Sequence, residues 1–399
     1  MSVASNPIEV LIIGAGMYVC GRGTSGTGTI LPAVFQAHRD GLVDRVLVAA
    51  TCAESLQSLH ATARVLNQQL GTDIHVEGFP STGRNPKAYL GALGQLGPRG
   101  CVIVSVPDPL HYEVARAVLE AQRHLLMVKP FTPTVTEGKA LVQLAREKGL
   151  YGAIEFHKRW DLMHLKLQQL VEEGRLGTPL YACVEFSQKK MIPERIFRQW
   201  AERTNIFQYL GVHYVDILAH VFKAVPTRAM GVGQYGYLKA HKIETFDAIE
   251  ALVEWYVPGS NTPFVSAFLV NWIDPNSTSA MSYQSLKIVG TSGRYESDQK
   301  HRGLQIVTDD SGIEEINPYF TQVYPDGSQR CYRGYGIESV TSFLHDVRNL
   351  FDGAVTLQEL ERTRPTFRQG LLSTAVLEAV GRSLQECGAW VPVQDVREV

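Results

Sequence analysis

The sequence predicts an α/β protein of two domains, a doubly wound parallel sheet followed by an α+β unit with a large, mostly antiparallel open sheet. Three observations predict it. Short β-branched runs alternate with amphipathic helical stretches over residues 1–154. Longer runs of alternating polarity occupy residues 155–399. A chain of 399 residues also exceeds what one simple core usually holds.

The first half of the chain alternates predicted strands with predicted helices. "IEVLIIGAG" is typical of a buried parallel strand, and "LPAVFQAHRDG" of a helix that tolerates Pro32 in its first turn. "DRVLVAAT" predicts the second strand, and "AESLQSLHATARVLNQQLG" a helix closed by Gly71. Three further strands, in "GCVIVSV", "LLMVKP" and "LYGAIEF", are separated by helices. This order predicts a parallel sheet with helices on both faces.

The second half begins with an amphipathic helix, "DLMHLKLQQLVEEGRLG". Six runs with strand-like alternation follow, and the helix "GVHYVDILAHVFK" is inserted among them. Two helical stretches close the chain, and we expect that they can pack back on the first domain. The six runs are "PLYACVEFSQ", "TRAMGVGQYGYL", "FDAIEALVEWYV", "FVSAFLVNWI", "SYQSLKIVGTSGRYES" and "GLQIVTDD".

Composition and charge narrow the class of protein. The net charge is −2 and the pI about 6.6, which disfavours a nucleic-acid partner. Six scattered cysteines include no CxxC pair, a pattern that fits reduced thiols in a cytoplasmic protein and predicts no metal site. The N-terminal apolar run lacks a basic flank and is too short for a signal peptide or a membrane span.

A glycine-rich turn follows the first strand directly. Gly14 and Gly16 allow a tight turn and let backbone amides approach a pyrophosphate, with Met17 next in the chain. Val19 stands where the third glycine of G-x-G-x-x-G is expected, and "CGRGTSGTG" lengthens the loop, so the helix is allowed to begin as late as Thr29. Because of its place after a strand, the turn favours a dinucleotide-binding Rossmann domain over a plain βα turn.

The end of the second strand leaves the choice between NAD and NADP open. An acidic residue usually stands there and bonds the ribose hydroxyls of NAD. Here the place holds Thr51, and Glu54 comes three residues later. No arginine stands beside Thr51, although Arg22 and Arg84 are candidate phosphate partners elsewhere in the domain.

A lysine ends the predicted strand "LLMVKP". Ligands of doubly wound sheets bind outside the carboxyl ends of the strands, and Lys129 stands at such an end, with Pro130 fixing the backbone after it. Next to an oxidised nicotinamide the pKa of this lysine should fall, which suits proton transfer with a substrate hydroxyl. The alternative is a lysine whose head simply reaches solvent.

The segment "CVIVSVPDPLHYEVARAVLEAQRHLLMVKPF" resembles the Gfo/Idh/MocA oxidoreductases, the glucose–fructose oxidoreductase and inositol dehydrogenase family. The likeness extends through "LVEEGRLGTPLYACVEF", "YLGVHYVDILAHVF", "LKIVGTSGRYES" and "RPTFRQGLLSTAVLEAV". The family's Glu-Lys-Pro is Val128, Lys129 and Pro130 here. The resemblance implies NAD or NADP as cofactor and a catalytic Lys129. The cofactor-binding residues are then expected to be Gly14, Gly16, Met17, Thr51, Val106, Pro107, His111 and Lys129.

The helix "YLGVHYVDILAH" places His213, Asp216 and His220 on one face. Three interpretations are open: an acid/base histidine, a metal site, and an amphipathic helix with satisfied polar groups. The family resemblance implies the first, with His213 at the reacting carbon. The aspartate that family members carry four residues earlier is Tyr209 here, which is no anion at pH 7.

Two further segments carry candidate substrate contacts. "EFHKRWD" lies at the domain junction, and its His157, Lys158 and Arg159 are either substrate contacts or a solvated hinge. "IPERIFRQWAERTNIFQ" brings Asn205 and several other donors just before the histidine helix, where a loop or a subunit contact is the alternative. The predicted substrate-binding residues are His157, Arg159, Asn205, Tyr209 and His213.

The resemblance implies an oxidoreductase that moves a hydride between a nicotinamide and a CH–OH carbon of a sugar, polyol or sugar derivative. Lys129 and His213 would be its acid/base groups. The alternatives are a non-catalytic dinucleotide-binding sensor and a glycosidase that uses NAD to assist bond cleavage. The resemblance also implies a homodimer or homotetramer, and we expect neither a membrane nor a nucleic-acid partner.

Overall fold

A computed structural model describes residues 6–300, 302–310 and 312–398. Its first sheet has six strands, all parallel, in the order β3-β2-β1-β4-β5-β6. The predicted doubly wound fold is confirmed, and the short edge strand β3 is an addition to it. The strands are β1 (Ile8–Ile13), β2 (Val43–Ala49), β3 (Val76–Phe79), β4 (Gly100–Val104), β5 (His124–Val128) and β6 (Gly152–Glu155).

Helices cover both faces of this sheet and bury its apolar side chains in two clusters. They are α1 (Met17–Cys20), α2 (Ile30–Arg39), α3 (Ala53–Leu70), α4 (Ala88–Leu93), α5 (His111–Glu120) and α6 (Val135–Glu147). The sequence predicts a single helix after the glycine turn. The structure instead has the four residues of α1, then a loop, then α2 from Ile30, and Gly21 ends α1 in a left-handed conformation.

The second sheet has seven strands in the order β12-β11-β7-β10-β9-β8-β17. It is mostly antiparallel as predicted, but β7 and β10 at its centre pair in parallel. The run "SYQSLKIVGTSGRYES" forms two strands, because the chain turns at Ser292 and Gly293. The strands are β7 (Pro179–Lys189), β8 (Val225–Gln234), β9 (Ala248–Tyr256), β10 (Phe264–Asp274), β11 (Ser282–Gly290), β12 (Arg294–Asp298) and β17 (Val391–Pro392).

Two small hairpins follow the sheet; the predicted strand "GLQIVTDD" forms the first strand of the first hairpin and does not join the seven-stranded sheet, and the other three strands were not predicted from the sequence. They consist of β13 (Gln305–Thr308) with β14 (Gly312–Glu315), and β15 (Gln322–Asp326) with β16 (Gln329–Arg333). The second hairpin reaches the first domain, because the Tyr332 hydroxyl donates to Gln69 Oε1 at 2.8 Å and Arg39 pairs with Asp326 at 2.5 Å. It therefore packs a segment of the second half of the chain against the first domain.

The remaining helices pack on the second sheet or return to the first domain. They are α7 (Leu162–Glu172), α8 (Val212–Phe222), α9 (Tyr237–Ala240), α10 (Tyr335–Phe351), α11 (Leu357–Thr363) and α12 (Phe367–Gln385). Helix α10 contacts α2, and α12 contacts α6 and β8. At Gly152 a side chain would collide with Phe367, since a Cβ there would lie 2.6 Å from that ring. None of the helices in the described part of the chain has the length and hydropathy needed to cross a membrane.

A buried ion pair stabilises the start of the second domain. The Asp161 carboxylate is fully buried and accepts hydrogen bonds from Arg302 at 2.7 and 3.1 Å and from the Gln299 amide. It also caps α7 by accepting from the backbone amide of Met163. Burial opposes ionisation of Asp161, but the hydrogen bonds and charge of Arg302 outweigh it and lower its pKa.

We expect Asp161→Ala to destabilise the protein by about 3–5 kcal/mol, because Arg302 is left as an unpaired buried charge. The free energy of unfolding from urea titration measures this, with Asp44→Ala, an exposed aspartate, as control. Since the folded-state pKa of Asp161 is lowered, its stabilisation is present above the unfolded pKa of about 3.9 and is lost as the pH falls below that value. Equal stability of the two variants would contradict the account.

Candidate active site

A cavity of about 720 Å³ opens at the carboxyl ends of β1, β2, β4 and β5. This is the edge where ligands of doubly wound sheets bind. Its other wall comes from the second domain, through β7, β11, α8 and the segment between β14 and β15. One continuous space therefore joins the glycine turn to the histidine helix.

The glycine turn forms one end of the cavity. Gly14 has a φ of 125°, and a Cβ there would lie 2.0 Å from the carbonyl oxygen of Ser105, so only glycine fits. At Gly16 the situation is the opposite, because a Cβ would meet no atom within 4 Å. That open space lets a ligand approach the backbone, as the pyrophosphate of a dinucleotide requires. The predicted cofactor residues Met17, Thr51, Val106 and Pro107 also line this cavity.

Lys129 stands at the middle of the cavity, just after β5. Its ammonium donates to the backbone carbonyl of Tyr209 at 2.6 Å and lies 3.7 Å from the centroid of the Tyr209 ring. Burial lowers the pKa of Lys129 to about 8, although the carboxylates of Asp108 and Glu155 oppose the shift. The lysine does not simply reach solvent. It is a half-buried cation that lines the cavity.

Tyr209, at the position where the resemblance implies an aspartate, contacts Lys129. Burial raises the pKa of its phenol, so the side chain stays neutral. Its ring also packs edge-on against Phe197, with centroids 4.9 Å apart. Tyr209 therefore shapes the pocket of the lysine without supplying a negative charge.

His213 is buried in the cavity wall on α8. Burial lowers its pKa well below the ordinary value, and the nearby Lys129, His157 and Lys158 lower it further. The imidazole is therefore neutral at physiological pH. Its Nδ1 has no hydrogen-bond partner among the described residues. The residue lines the cavity, so its imidazole is placed to hydrogen-bond a ligand hydroxyl.

A second histidine lies against the first. The ring centroids of His157 and His213 are 4.7 Å apart. His157 Nδ1 lies 3.0 Å from Glu155 Oε2 and 3.2 Å from the Tyr18 hydroxyl, and Ser339 donates to the other carboxylate oxygen of Glu155. This chain of contacts fixes the His157 ring, which in turn supports the position of His213.

The far end of the cavity is lined by amides and hydroxyls. Lys158 is 2 % exposed there and donates to Gln299 Oε1 at 2.7 Å and to the Gln284 side chain. Burial lowers its pKa to about 7. Gln188 Oε1 is buried with no partner in the described structure. The other polar lining residues here are Ser282, Lys300, Glu315, Asn317, Gln322 and Tyr335.

Three predicted site residues do not line the cavity. Arg159 instead binds Asp216 through two hydrogen bonds of 2.6 and 2.8 Å, because a buried guanidinium needs a carboxylate partner. Asn205 stabilises the turn before α8, since its Oδ1 accepts from the backbone amide of Gln208. His111 is fully buried between the carbonyl oxygens of Pro130 and Val106, at 2.7 and 3.0 Å. It supports the Lys129–Pro130 turn from behind.

The metal interpretation of the histidine helix finds no cluster to support it. Asp216 is taken up by Arg159, and no group of three or more His, Cys, Asp or Glu side chains in the described residues is arranged to hold a metal ion.

Sequence reasoning missed the glutamines of the far end, although a signal was present. Gln188 continues the buried positions Ala182, Val184 and Phe186 of β7, at the spacing of two that defines one face of a strand. Gln284 shares a face with Leu286 and Ile288 in the same way. A polar residue on an otherwise apolar strand face indicates either a buried network or a ligand site.

The sequence profiles of one family match most of the chain. The profile described as the oxidoreductase family with an NAD-binding Rossmann fold matches residues 8–156. The profile of that family's C-terminal domain matches residues 164–296. The chain belongs to the Gfo/Idh/MocA oxidoreductase family. The predicted resemblance is thereby confirmed.

Curated members of the family match parts of the chain. The scyllo-inositol 2-dehydrogenase (NADP⁺) IolW of Bacillus subtilis is 35 % identical over 136 residues, 32 % of this chain and 37 % of that protein. The 1,5-anhydro-D-fructose reductase of Ensifer adhaerens is 28 % identical over 135 residues, 33 % of this chain and 40 % of that protein. The chain thus matches well under half the length of each of these relatives.

Solved structures match nearly all of this chain. An inositol dehydrogenase homologue from Azotobacter vinelandii, in complex with NADH and myo-inositol, superposes with a TM-score of 0.69 at 17 % identity, covering 97 % of this chain and 98 % of that one. A scyllo-inositol dehydrogenase from Lactobacillus casei gives 0.65 at 14 % identity, covering 97 % and 99 %. Identities this low show a shared fold.

We expect Gly16→Ala to weaken binding of NADH and NADPH by about tenfold or more while leaving the melting temperature unchanged, because the added methyl group enters open space that the ligand would occupy. Calorimetric titration and thermal unfolding measure the two effects. Gly91→Ala is the matched control, since its Cβ also meets nothing within 4 Å but lies outside the cavity. Unchanged affinity in Gly16→Ala would place the dinucleotide elsewhere.

Proposed function

We propose that this protein is an NAD(P)-dependent dehydrogenase or reductase that acts on a CH–OH carbon of a neutral polyol or sugar. The observation that carries the proposal is the single cavity in which the glycine turn, Lys129, His213 and the amide-lined end follow one another. A dinucleotide at the first end and a polyhydroxylated substrate at the other would meet beside Lys129.

The residues present fit the cofactor. Gly14 and Gly16 would hold the pyrophosphate, and Val106, Pro107 and Lys129 would border the nicotinamide ribose. When bound, the nicotinamide supplies the carbon that accepts or donates the hydride. The chain's own groups must then move the hydroxyl proton and hold the substrate.

We assign the transfer of the hydroxyl proton to Lys129. Oxidation of CH–OH to C=O removes a hydride and a proton, and a neutral amine can take the proton. With a pKa of about 8, a substantial fraction of Lys129 is neutral near physiological pH. In the reverse direction the ammonium returns the proton to the carbonyl oxygen.

His213 then has a different role from the acid/base role that the family resemblance implies. A histidine whose pKa lies well below its ordinary value is a weak base, so it is poorly suited to take the proton itself. As a neutral ring that lines the cavity, it is suited to hydrogen-bond the reacting hydroxyl and orient it toward Lys129. We propose orientation for His213 and proton transfer for Lys129.

The far end of the cavity supports a neutral substrate. Its amides offer both donors and acceptors to ring hydroxyls. The charged groups there already have partners, since Lys300 lies 3.7 Å from Glu315 and Lys158 donates to two glutamines. The relatives' names, inositol dehydrogenases and an anhydrofructose reductase, point to the same class of compound.

The experiment is a panel of inositols, sugars and their carboxylated analogues, read at the absorbance band of the reduced cofactor. We expect turnover of neutral polyols or sugars and little of the carboxylates. Dinucleotide binding without turnover of any of them would instead favour the non-catalytic sensor.

We expect Lys129→Met to lower turnover by about 10²–10⁴-fold while the affinity for the cofactor stays within about twofold, because only proton transfer is lost.

In wild type, kcat/KM for oxidation should rise with pH and level off at or below about 8, since the base must be neutral and a nearby oxidised nicotinamide lowers the pKa further. For reduction, activity should fall above about 8, because the acid is then lost.

Lys166→Met, at an exposed lysine of α7, is the matched control and should leave both profiles unchanged. Near wild-type turnover in Lys129→Met would refute the assignment.

A further inference from the structure

The cavity has a basic end beside the carboxyl end of β2. Thr51, Ser55, Arg22 and Arg84 all line it, and Arg22 Nη1 donates to Ser55 Oγ at 2.8 Å. The four residues come from three separate segments of the first domain. Sequence spacing alone does not bring them together.

The lengthened glycine loop places Arg22 at this end of the cavity. Gly21 has a φ of 73°, and a Cβ there would lie 1.8 Å from the carbonyl oxygen of Gly26, so the loop closes tightly on itself. Gly28, with a φ of 80°, is packed just as closely against the backbone of Val19. The residues between these two glycines project from the end of α1, and Arg22 among them crosses to the first turn of α3.

Arg84 is held at the same place by backbone pairing. Its segment forms an isolated antiparallel bridge with Cys52. The amide of Ala53 donates to Gly83 O, and the amide of Asn85 donates to Thr51 O, both at 2.9 Å. The stretch that carries Arg84 therefore runs alongside the residues that end β2.

The charge of these two arginines is not neutralised locally. Neither Arg22 nor Arg84 forms an ion pair with a carboxylate within the described residues. Glu54 is the nearest acid along the chain, but hydrogen bonds from its own backbone amide and from Cys52 lower its pKa, and it does not line the cavity. Two guanidinium groups and two hydroxyls thus face one small volume.

The end of β2 is where the adenosine ribose of a dinucleotide lies when its pyrophosphate rests on the glycine turn. A carboxylate at this point binds the free 2′-hydroxyl of NAD, whereas a guanidinium accommodates a 2′-phosphate. We propose that Arg22, with Arg84, Thr51 and Ser55, forms a 2′-phosphate subsite, so that the protein prefers NADP(H) to NAD(H). This inference rests on the proposed function, because it assumes a dinucleotide in the cavity.

The test is calorimetric titration of the purified protein with NADPH and with NADH. We expect NADPH to bind at least about tenfold more tightly, since a hydrogen bond to a charged group contributes a factor of roughly 10 to 100 in affinity. Arg22→Ala should remove most of this preference by weakening NADPH alone, and Arg84→Ala should act in the same direction. Rising salt should weaken NADPH more than NADH.

Arg64→Ala is the matched control, because it removes an exposed arginine from α3 about two and a half turns beyond Ser55. It should leave both affinities unchanged. Adenosine 2′,5′-bisphosphate against 5′-AMP gives a second reading that needs no nicotinamide and no turnover. The bisphosphate should bind more tightly to wild type and lose that advantage in Arg22→Ala.

Equal or tighter binding of NADH by wild type would overturn the inference while leaving the proposed function intact. Equal weakening of both dinucleotides by Arg22→Ala would overturn it as well, because the arginine would then act on the shared pyrophosphate. Failure of both dinucleotides to bind would overturn the proposed function, and this inference with it.

Discussion

The site depends on one contact between the two domains, that of the half-buried Lys129 ammonium with Tyr209. Lys129 ends a strand of the first sheet, yet its ammonium donates to the backbone of Tyr209, which precedes the histidine helix of the second domain. The aromatic ring of Tyr209 also covers the ammonium. This contact fixes how the carboxyl edge of one sheet faces α8. It also partly desolvates the ammonium, which lowers its pKa to about 8, into the range where proton transfer is efficient.

The other buried charges of the site follow from that arrangement. Burial, and after it the charge of Lys129, disfavours His213 as an imidazolium, so the ring stays neutral. Glu155 lies near enough to Lys129 to oppose its deprotonation, and it also anchors His157 behind His213. Arg159 forms an ion pair with Asp216 of α8. The carboxylates around Lys129 thus have partners of their own, and the Lys129 ammonium faces the cavity.

Much of the first domain was predictable because its signals are local. Apolar runs ending in glycine or Lys-Pro mark buried parallel strands, and so Gly14, Gly16 and Lys129 were found from sequence. The strand β3 was missed because four residues with a glycine carry little periodicity, and its place at the sheet edge becomes clear only from its pairing with β2. The run "GLQIVTDD" was predicted as a strand, but it forms β13 outside the large sheet. The strand β14 and the hairpin β15–β16 were missed because their strands are short and largely exposed.

Side-chain roles were harder to predict, because they depend on partners distant in sequence. Arg159 was a plausible substrate contact until its pairing with Asp216, 57 residues away, became visible. Arg22 reaches Ser55 only through the fold of the glycine loop. The most direct test of the account is an NMR titration of ¹³Cε-labelled lysines, with Lys129→Met identifying the signal of Lys129. The account predicts a midpoint of about 8. A midpoint near the ordinary lysine pKa of about 10.4 would contradict it, because the ammonium would then be neither desolvated nor suited to accept a proton at neutral pH.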